Sequence, residues 1–142
     1  MAEYGASMVA AGAGTTLRPV FGVLSLAATS PVLKEVAVFN TTAVACQYRL
    51  VQLTAGTPGA TVAARKFRRN APPALCLAKQ LWTADATIGE DLGYLFQLGA
   101  AIGSGVVLPI YDVEGDVGAT AAIGLVPIGT GQVVTVGMRW AE

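Results

Sequence analysis

The chain has 142 residues, of which 54% are hydrophobic and only 13% are charged, and its nine basic residues balance its nine acidic ones. This length predicts one domain with its own core, and the neutral balance argues against a protein that binds nucleic acid through its overall charge. Because a soluble domain usually carries about a quarter charged residues, the surplus apolar surface predicts contact with other subunits or with lipid.

The first sixteen residues, MAEYGASMVAAGAGTT, have mostly small side chains and few bulky ones. Such a segment cannot bury enough surface to fold alone. We expect residues 1–16 to form an extended, flexible N-terminal arm, which either frays or lies across a neighbouring subunit. Since the segment contains Glu3, no cation and no continuous apolar run, it does not resemble a signal peptide.

Short apolar runs separated by turn residues follow the arm. Residues 35–40 and 46–53 alternate with a period of two, which predicts a pair of strands. The clearest alternation is in residues 132–140, and one helical turn is expected near residues 89–93. The inward positions predicted for the last strand are Val134, Val136, Met138 and Trp140.

About eight strands with little helix predict an all-β domain over residues 17–142, an antiparallel β-sandwich or barrel of jelly-roll type. Residues 105–110 are apolar at every position except Gly105, which predicts a sheet covered on both faces. In a small sandwich the outer cover would be a second copy of the chain. The sequence therefore predicts a homo-oligomer.

Lipid is the less favoured destination for the apolar surface. The charge-free windows 92–111 and 117–138 are each about as long as a membrane span. Glycine and proline interrupt both windows so often that neither predicts a continuous spanning helix. We therefore expect a chain that is made in the cytoplasm and does not enter a membrane.

The chain lacks the residues of common catalytic sites. It contains no histidine, so Ser–His–acid and Cys–His arrangements are excluded. The segment AGAGTT at 11–16 has too few glycines and no lysine for a phosphate-binding loop. Cys46 and Cys76 are interpreted as small buried hydrophobes, although a disulfide would form if their strands adjoin. No enzyme activity and no cofactor are expected.

The segment DVEGD at 112–116 is the main acidic motif. Asp112, Glu114 and Asp116 would share one face of a strand, where three carboxylates could hold a hard cation such as Ca²⁺. The alternative is a polar hairpin tip in which Gly115 takes a positive φ. The hairpin tip is favoured, and the three acids remain candidate metal ligands.

The segment ARKFRRN at 64–70 holds four of the nine basic residues. If residues 61–69 form a strand, cations point to both of its faces. Because both faces cannot then be core, this strand should lie at an edge or in a protruding hairpin. The candidate partner-binding residues are Arg65, Lys66, Phe67, Arg68 and Arg69.

Three interpretations of ARKFRRN remain open: a solvated loop that protects a sheet edge, contact with nucleic acid, and docking on an acidic protein surface. Nucleic acid is disfavoured because no binding motif surrounds the segment. Six of the nine acids fall within residues 85–116, and a basic and an acidic patch on one neutral chain suit head-to-tail contact between copies or register on a larger lattice.

Taken together, the Ala-, Gly-, Val- and Thr-rich β chain, the N-terminal arm, the missing catalytic set and the final strand ending GMRWAE resemble the small virion proteins of tailed bacteriophages, above all capsid decoration or cement proteins. The resemblance implies a jelly roll or related barrel that forms trimers and clamps neighbouring capsid subunits. No site residue is implied by it.

The predicted function is thus that of a non-enzymatic virion structural protein that self-associates and binds the major capsid protein or another virion protein. The alternative is a tail or fibre-associated β-sandwich that binds a receptor or carbohydrate. Exposed aromatic side chains would mark that alternative, whereas Trp82 and Trp140 lie in apolar strand patterns that predict core positions.

Overall fold

A computed structural model of the chain describes residues 1–9, 11–26, 28–118 and 120–142, with the side chain of Asp112 outside the description. The described residues form eleven strands and no helix. In chain order the strands are β1 Glu3–Met8, β2 Phe21–Leu24, β3 Val32–Asn40, β4 Cys46–Ala55, β5 Thr61–Val62, β6 Arg65–Lys66, β7 Leu77–Gln80, β8 Thr87–Leu98, β9 Gly105–Glu114, β10 Ala122–Pro127 and β11 Val134–Ala141.

Two antiparallel sheets pack face to face as a sandwich, which confirms the predicted fold class. One sheet has five strands in the order β6-β1-β11-β3-β9, and the other has six in the order β5-β7-β2-β10-β4-β8. Across the sandwich, β8 contacts β9 at one side and β5 contacts β1 at the other. Among the residues described, no helix has the length and apolar character needed to cross a membrane.

The core between the sheets follows the period-two alternation of the sequence. In β11 the four predicted inward residues are buried, whereas Thr135, Gly137 and Arg139 between them are partly exposed. Trp140 is buried in this core, as predicted, and its ring stacks on Tyr4 with ring centroids 6.1 Å apart. Trp82 is also buried, but in a second cluster on the outer face of the six-stranded sheet. Alternation therefore located the inner face correctly wherever one face of a strand is apolar.

The predicted N-terminal arm is wrong for the residues that form β1. This strand lies inside the five-stranded sheet, where β11 pairs with one of its sides and β6 with the other. Tyr4 and Ala6 are buried in the core, so the segment gains from its neighbours the apolar contacts that its own composition cannot provide.

Two local predictions also differ from the structure. Residues 35–40 and 46–53 are strands but not a pair, because β3 and β4 belong to different sheets. The chain crosses between the sheets at residues 41–45, and the two strands bury their apolar sides in the same core. The helical turn expected at 89–93 is absent because these residues lie within β8, whose pairing with β4 is irregular.

The chain itself covers the outer face of the six-stranded sheet. Trp82 lies over Gly22 of β2 so closely that a Cβ there would come 2.9 Å from the indole. Arg18 lies in the segment before β2, and Asp85 lies with Trp82 in the segment between β7 and β8. An ion pair of 2.8 Å between these two residues joins the segments. The buried cluster under this cover consists of Val51, Leu53, Trp82, Ala86, Ala122 and Val126. The prediction that another copy must supply the outer cover is therefore wrong for this sheet, and it stays a prediction for the five-stranded one.

The buried Tyr48 hydroxyl and Cys76 thiol make the stability of the protein change with pH in the alkaline range. Burial raises the pKa of the Tyr48 hydroxyl to about 12. Burial, followed by the nearby Glu142 carboxylate, raises the pKa of the Cys76 thiol from 9.0 to about 12. Both cysteines are buried and free, so the disulfide that the sequence left open is not formed.

We expect the free energy of unfolding to fall as the pH rises from 9 to about 12. The unfolded chain loses the Cys76 proton at a lower pH than the folded chain does, so this stability is complete below pH 9 and is lost above it. One such group contributes a slope of about 1.4 kcal/mol per pH unit. Urea unfolding at several alkaline pH values measures the slope, which should be smaller in Cys76→Ala; equal slopes in the two proteins would contradict the assignment.

Candidate docking surfaces

The segment ARKFRRN lies at an edge of the five-stranded sheet, as its charge pattern predicted. Arg65 and Lys66 form β6, which pairs with Gly5 and Tyr4 of β1. A tight turn follows, closed by a bond from the Ala71 amide to the Arg68 carbonyl. We call Arg65, Lys66, Arg68 and Arg69 the basic edge; all four are exposed.

Within the described part of the chain, none of the four cations takes part in an ion pair. The Lys66 ammonium donates a hydrogen bond of 3.0 Å to the Ala71 carbonyl. Neither Arg65, Arg68 nor Arg69 takes part in an ion pair there. Three guanidinium groups within five residues that no carboxylate neutralises give this edge a positive local potential, which would attract an anionic surface.

Phe67 fastens the basic edge to the outer face of the same sheet. Its backbone amide donates to the Glu3 carbonyl at 3.1 Å, and its ring lies over Gly5, where a Cβ would come 2.8 Å from the ring. The Arg139 guanidinium stands 4.7 Å from the ring centroid, a cation–π distance. About half of the Phe67 side chain stays exposed, so this residue is both an anchor of the turn and part of the surface.

Beside Phe67, a groove of about 450 Å³ runs over the outer face of the five-stranded sheet. Small residues form its floor, and Arg65, Phe67, Glu35 and Arg139 stand around it. The residues of the floor are Gly5, Ser7, Ala37 and Gly137. Arg139 binds Glu3 at 3.2 Å and Glu35 at 3.9 Å, so the groove presents backbone and small side chains between charged groups of both signs.

The acidic residues of the predicted cation site do not act as a unit. Glu114 accepts a hydrogen bond of 2.9 Å from Ser30, whereas Asp116 lines a separate cleft with Glu90 of β8. The side chain of Asp112 lies outside the described residues. In the part of the chain that is described, no three acids or thiols come together as metal ligands would.

The predicted hairpin tip at DVEGD is also wrong. The chain leaves β9 of the five-stranded sheet here and enters β10 of the other sheet, so the segment crosses the sandwich. Gly115 does not have a positive φ. It is buried against Pro31, whose carbonyl accepts the Gly115 amide at 2.8 Å.

An acidic edge lies on the opposite side of the sandwich from the basic edge. We define it as Glu90 and Asp91 of β8 with Glu114 and Asp116 at the end of β9. Strands β6 and β9 are the two outermost strands of the five-stranded sheet, about 19 Å apart at the usual strand spacing, and β8 contacts β9. A hydrogen bond from the Gly93 amide, helped by Arg49, lowers the pKa of Asp91.

The strands of the acidic edge are long and carry exposed apolar side chains. β8 has twelve residues and β9 has ten. Leu95, Val107 and Tyr111 are 50%, 49% and 79% exposed. Pro109, the charges of β8 and the register shifts in both strands discourage open-ended strand pairing. A partner at this edge would therefore be held by side chains.

Sequence reasoning missed one residue that organises the region, Glu142. Its carboxylate accepts hydrogen bonds from the backbone amides of Leu75 and Cys76 and from the Trp140 indole. No local sequence pattern indicated the contacts with Leu75 and Cys76, because these residues lie 67 and 66 positions away in the chain.

Compared with known proteins, the chain matches no protein-family model, no curated protein and no solved structure.

Proposed function

We propose that the chain is a non-enzymatic structural protein of a viral particle, which self-associates and binds a larger protein lattice in the manner of a capsid decoration or cement protein. The observation that supports this most is the exposed apolar side of the sandwich. Val107 and Tyr111 stand exposed on β9 at the edge of the five-stranded sheet, and Leu95 stands exposed on β8 at the edge of the other sheet. A second protein surface would bury these side chains.

The expected mode of action is burial of apolar area between copies, with charges fixing the register. Burying a fully exposed apolar side chain contributes about 1.5–3 kcal/mol, and burying a half-exposed one contributes about half of that. Many such weak contacts repeated over a lattice add up to firm attachment. Because bound copies would connect neighbouring shell subunits, they would resist internal pressure. A trimer is the assembly expected from the resemblance to decoration proteins.

Attachment to particles tests the proposal. Particles purified from a culture that produces the protein should contain it in stoichiometric amount by peptide mass spectrometry. Recombinant protein should rebind to particles from which it has been stripped, and the variant in which Arg65, Arg68 and Arg69 are all replaced by Glu should not, although its circular dichroism is unchanged. Recovery of the protein only in the particle-free fraction would contradict the proposal.

A further inference from the structure

The two charged edges face away from each other, which restricts how copies of the chain can meet. In a two-fold contact each surface patch meets its own equivalent. Such a contact through the basic edge would bring Arg65, Arg68 and Arg69 against a second set of the same cations. The same objection holds for Glu90 and Asp116 at the acidic edge, since neither has an ion pair within the described residues.

We infer that the protein self-associates head to tail, with the basic edge of one copy docked against the acidic edge of the next. The inference rests on the proposed self-association and names its partner surface, a second copy of this chain. Opposite charges then meet at every contact, and an open series of copies keeps one free basic edge at one end and one free acidic edge at the other. A head-to-tail contact closes into a ring when the rotation per copy divides a full turn.

The apolar features near both edges lie on the outer face of the five-stranded sheet. The basic edge borders the groove with its floor of small residues. The acidic edge carries the projecting side chains of Val107 and Tyr111. Ala37 of the groove pairs with Val107 in the register of β3 and β9, so these apolar features adjoin and the charges set the orientation of the contact.

The local charges favour this orientation even after every nearby group is included. Around the acidic edge the cations are Arg49, which binds Asp91 at 3.2 Å, and Lys34 of β3. Around the basic edge the acids are Glu3 and Glu35, both of which bind Arg139. The unneutralised charge is thus positive at one edge and negative at the other, although the chain as a whole is neutral.

Charge reversal at one edge at a time tests the arrangement. The first variant is Arg68→Glu with Arg69→Glu, and the second is Glu90→Lys with Asp116→Lys. Each should raise the apparent Kd of self-association roughly 100-fold, because the altered edge loses its net charge and its two new groups face groups of the same sign across the contact. A matched control, Arg18→Glu with Asp85→Lys, exchanges an ion pair on the outer face of the other sheet and should associate like the natural protein.

Mixing the two edge variants is the decisive step, followed by native mass spectrometry and sedimentation. The altered edge of each variant complements the altered edge of the other, and the two unaltered edges complement each other, so a 1:1 mixture should recover contacts between unlike variants. Because a ring of three cannot alternate two variants, the recovered complexes should be pairs or larger assemblies that hold equal numbers of each. Loss of association that mixing does not restore would overturn the head-to-tail arrangement. Self-association that is unaffected by either pair of substitutions would overturn the charged contact but leave the proposed function standing. A natural protein that stays monomeric would overturn both.

Discussion

Replacement of Trp140 by Ala is expected to lower the free energy of unfolding by about 4 kcal/mol. The indole is fully buried, stacks on Tyr4 and lies on β11, the central strand of the five-stranded sheet. Its removal leaves a cavity that the paired strands on both sides cannot close. Since whole domains are stable by only about 5–15 kcal/mol, this variant should be close to unfolding at physiological temperature.

Urea unfolding followed by far-ultraviolet circular dichroism measures the effect without relying on tryptophan fluorescence. Thr135→Ala is the matched control, because it lies on the same strand but faces outward, and its effect should stay within about 0.5 kcal/mol. A loss below about 1 kcal/mol for Trp140→Ala would mean that the two sheets do not pack around this residue.

Replacement of Glu142 by Ala is expected to cost about 3 kcal/mol. Its carboxylate accepts two backbone amides of the segment before β7 and the indole N–H of Trp140. These are hydrogen bonds to a charged group, each worth about 1.5–3 kcal/mol, and their donors would lose their partner. The carboxylate thus ties the end of the five-stranded sheet to the opposite sheet.

Two further variants separate this contact from a general effect of charge. Glu142→Gln keeps one acceptor oxygen and should lose about half as much stability as Glu142→Ala. Glu35→Ala removes an exposed acid that binds Arg139 at 3.9 Å and should cost less than about 1 kcal/mol. If Glu142→Ala and Glu35→Ala had equal effects, the account of Glu142 would be refuted.

The sequence predicted those features of the fold that depend on neighbouring positions in the chain. Alternation in β4 and β11 identified the buried residues, because successive side chains of a strand point to opposite faces. The cations at 65–69 predicted an edge strand for the same reason: a strand with charge on both faces cannot lie between two others.

Features that depend on distant partners could not be predicted. The sequence of β1 consists mostly of small side chains and does not by itself indicate a buried strand. Only the pairing of β1 with β6 and β11 explains why Tyr4 is buried. The assignment of β3 and β4 to separate sheets follows from partners that are far away in the chain. Similarly, the cover that Trp82 provides for Gly22 joins a loop to a strand sixty residues earlier.

The candidate docking surfaces also combine features that neighbouring positions in the sequence predict with features that depend on distant parts of the chain. The sequence showed that cations gather at 65–69 and acids at 85–116, and these groupings led to the expectation of contact between copies. That the two groups occupy opposite edges depends on the strand order of both sheets. The sheet crossing at Gly115 likewise required the structure, since a glycine among acids is equally typical of a hairpin tip.

The native mass of the purified protein at micromolar and nanomolar concentration tests the central claim most directly. The account predicts a closed oligomer at micromolar concentration, with a trimer expected, that dissociates more readily in 1 M salt because the charged contacts are then screened. A soluble monomer of 14.5 kDa at every concentration would contradict it. The exposed side chains of β8 and β9 would then have to serve a different partner.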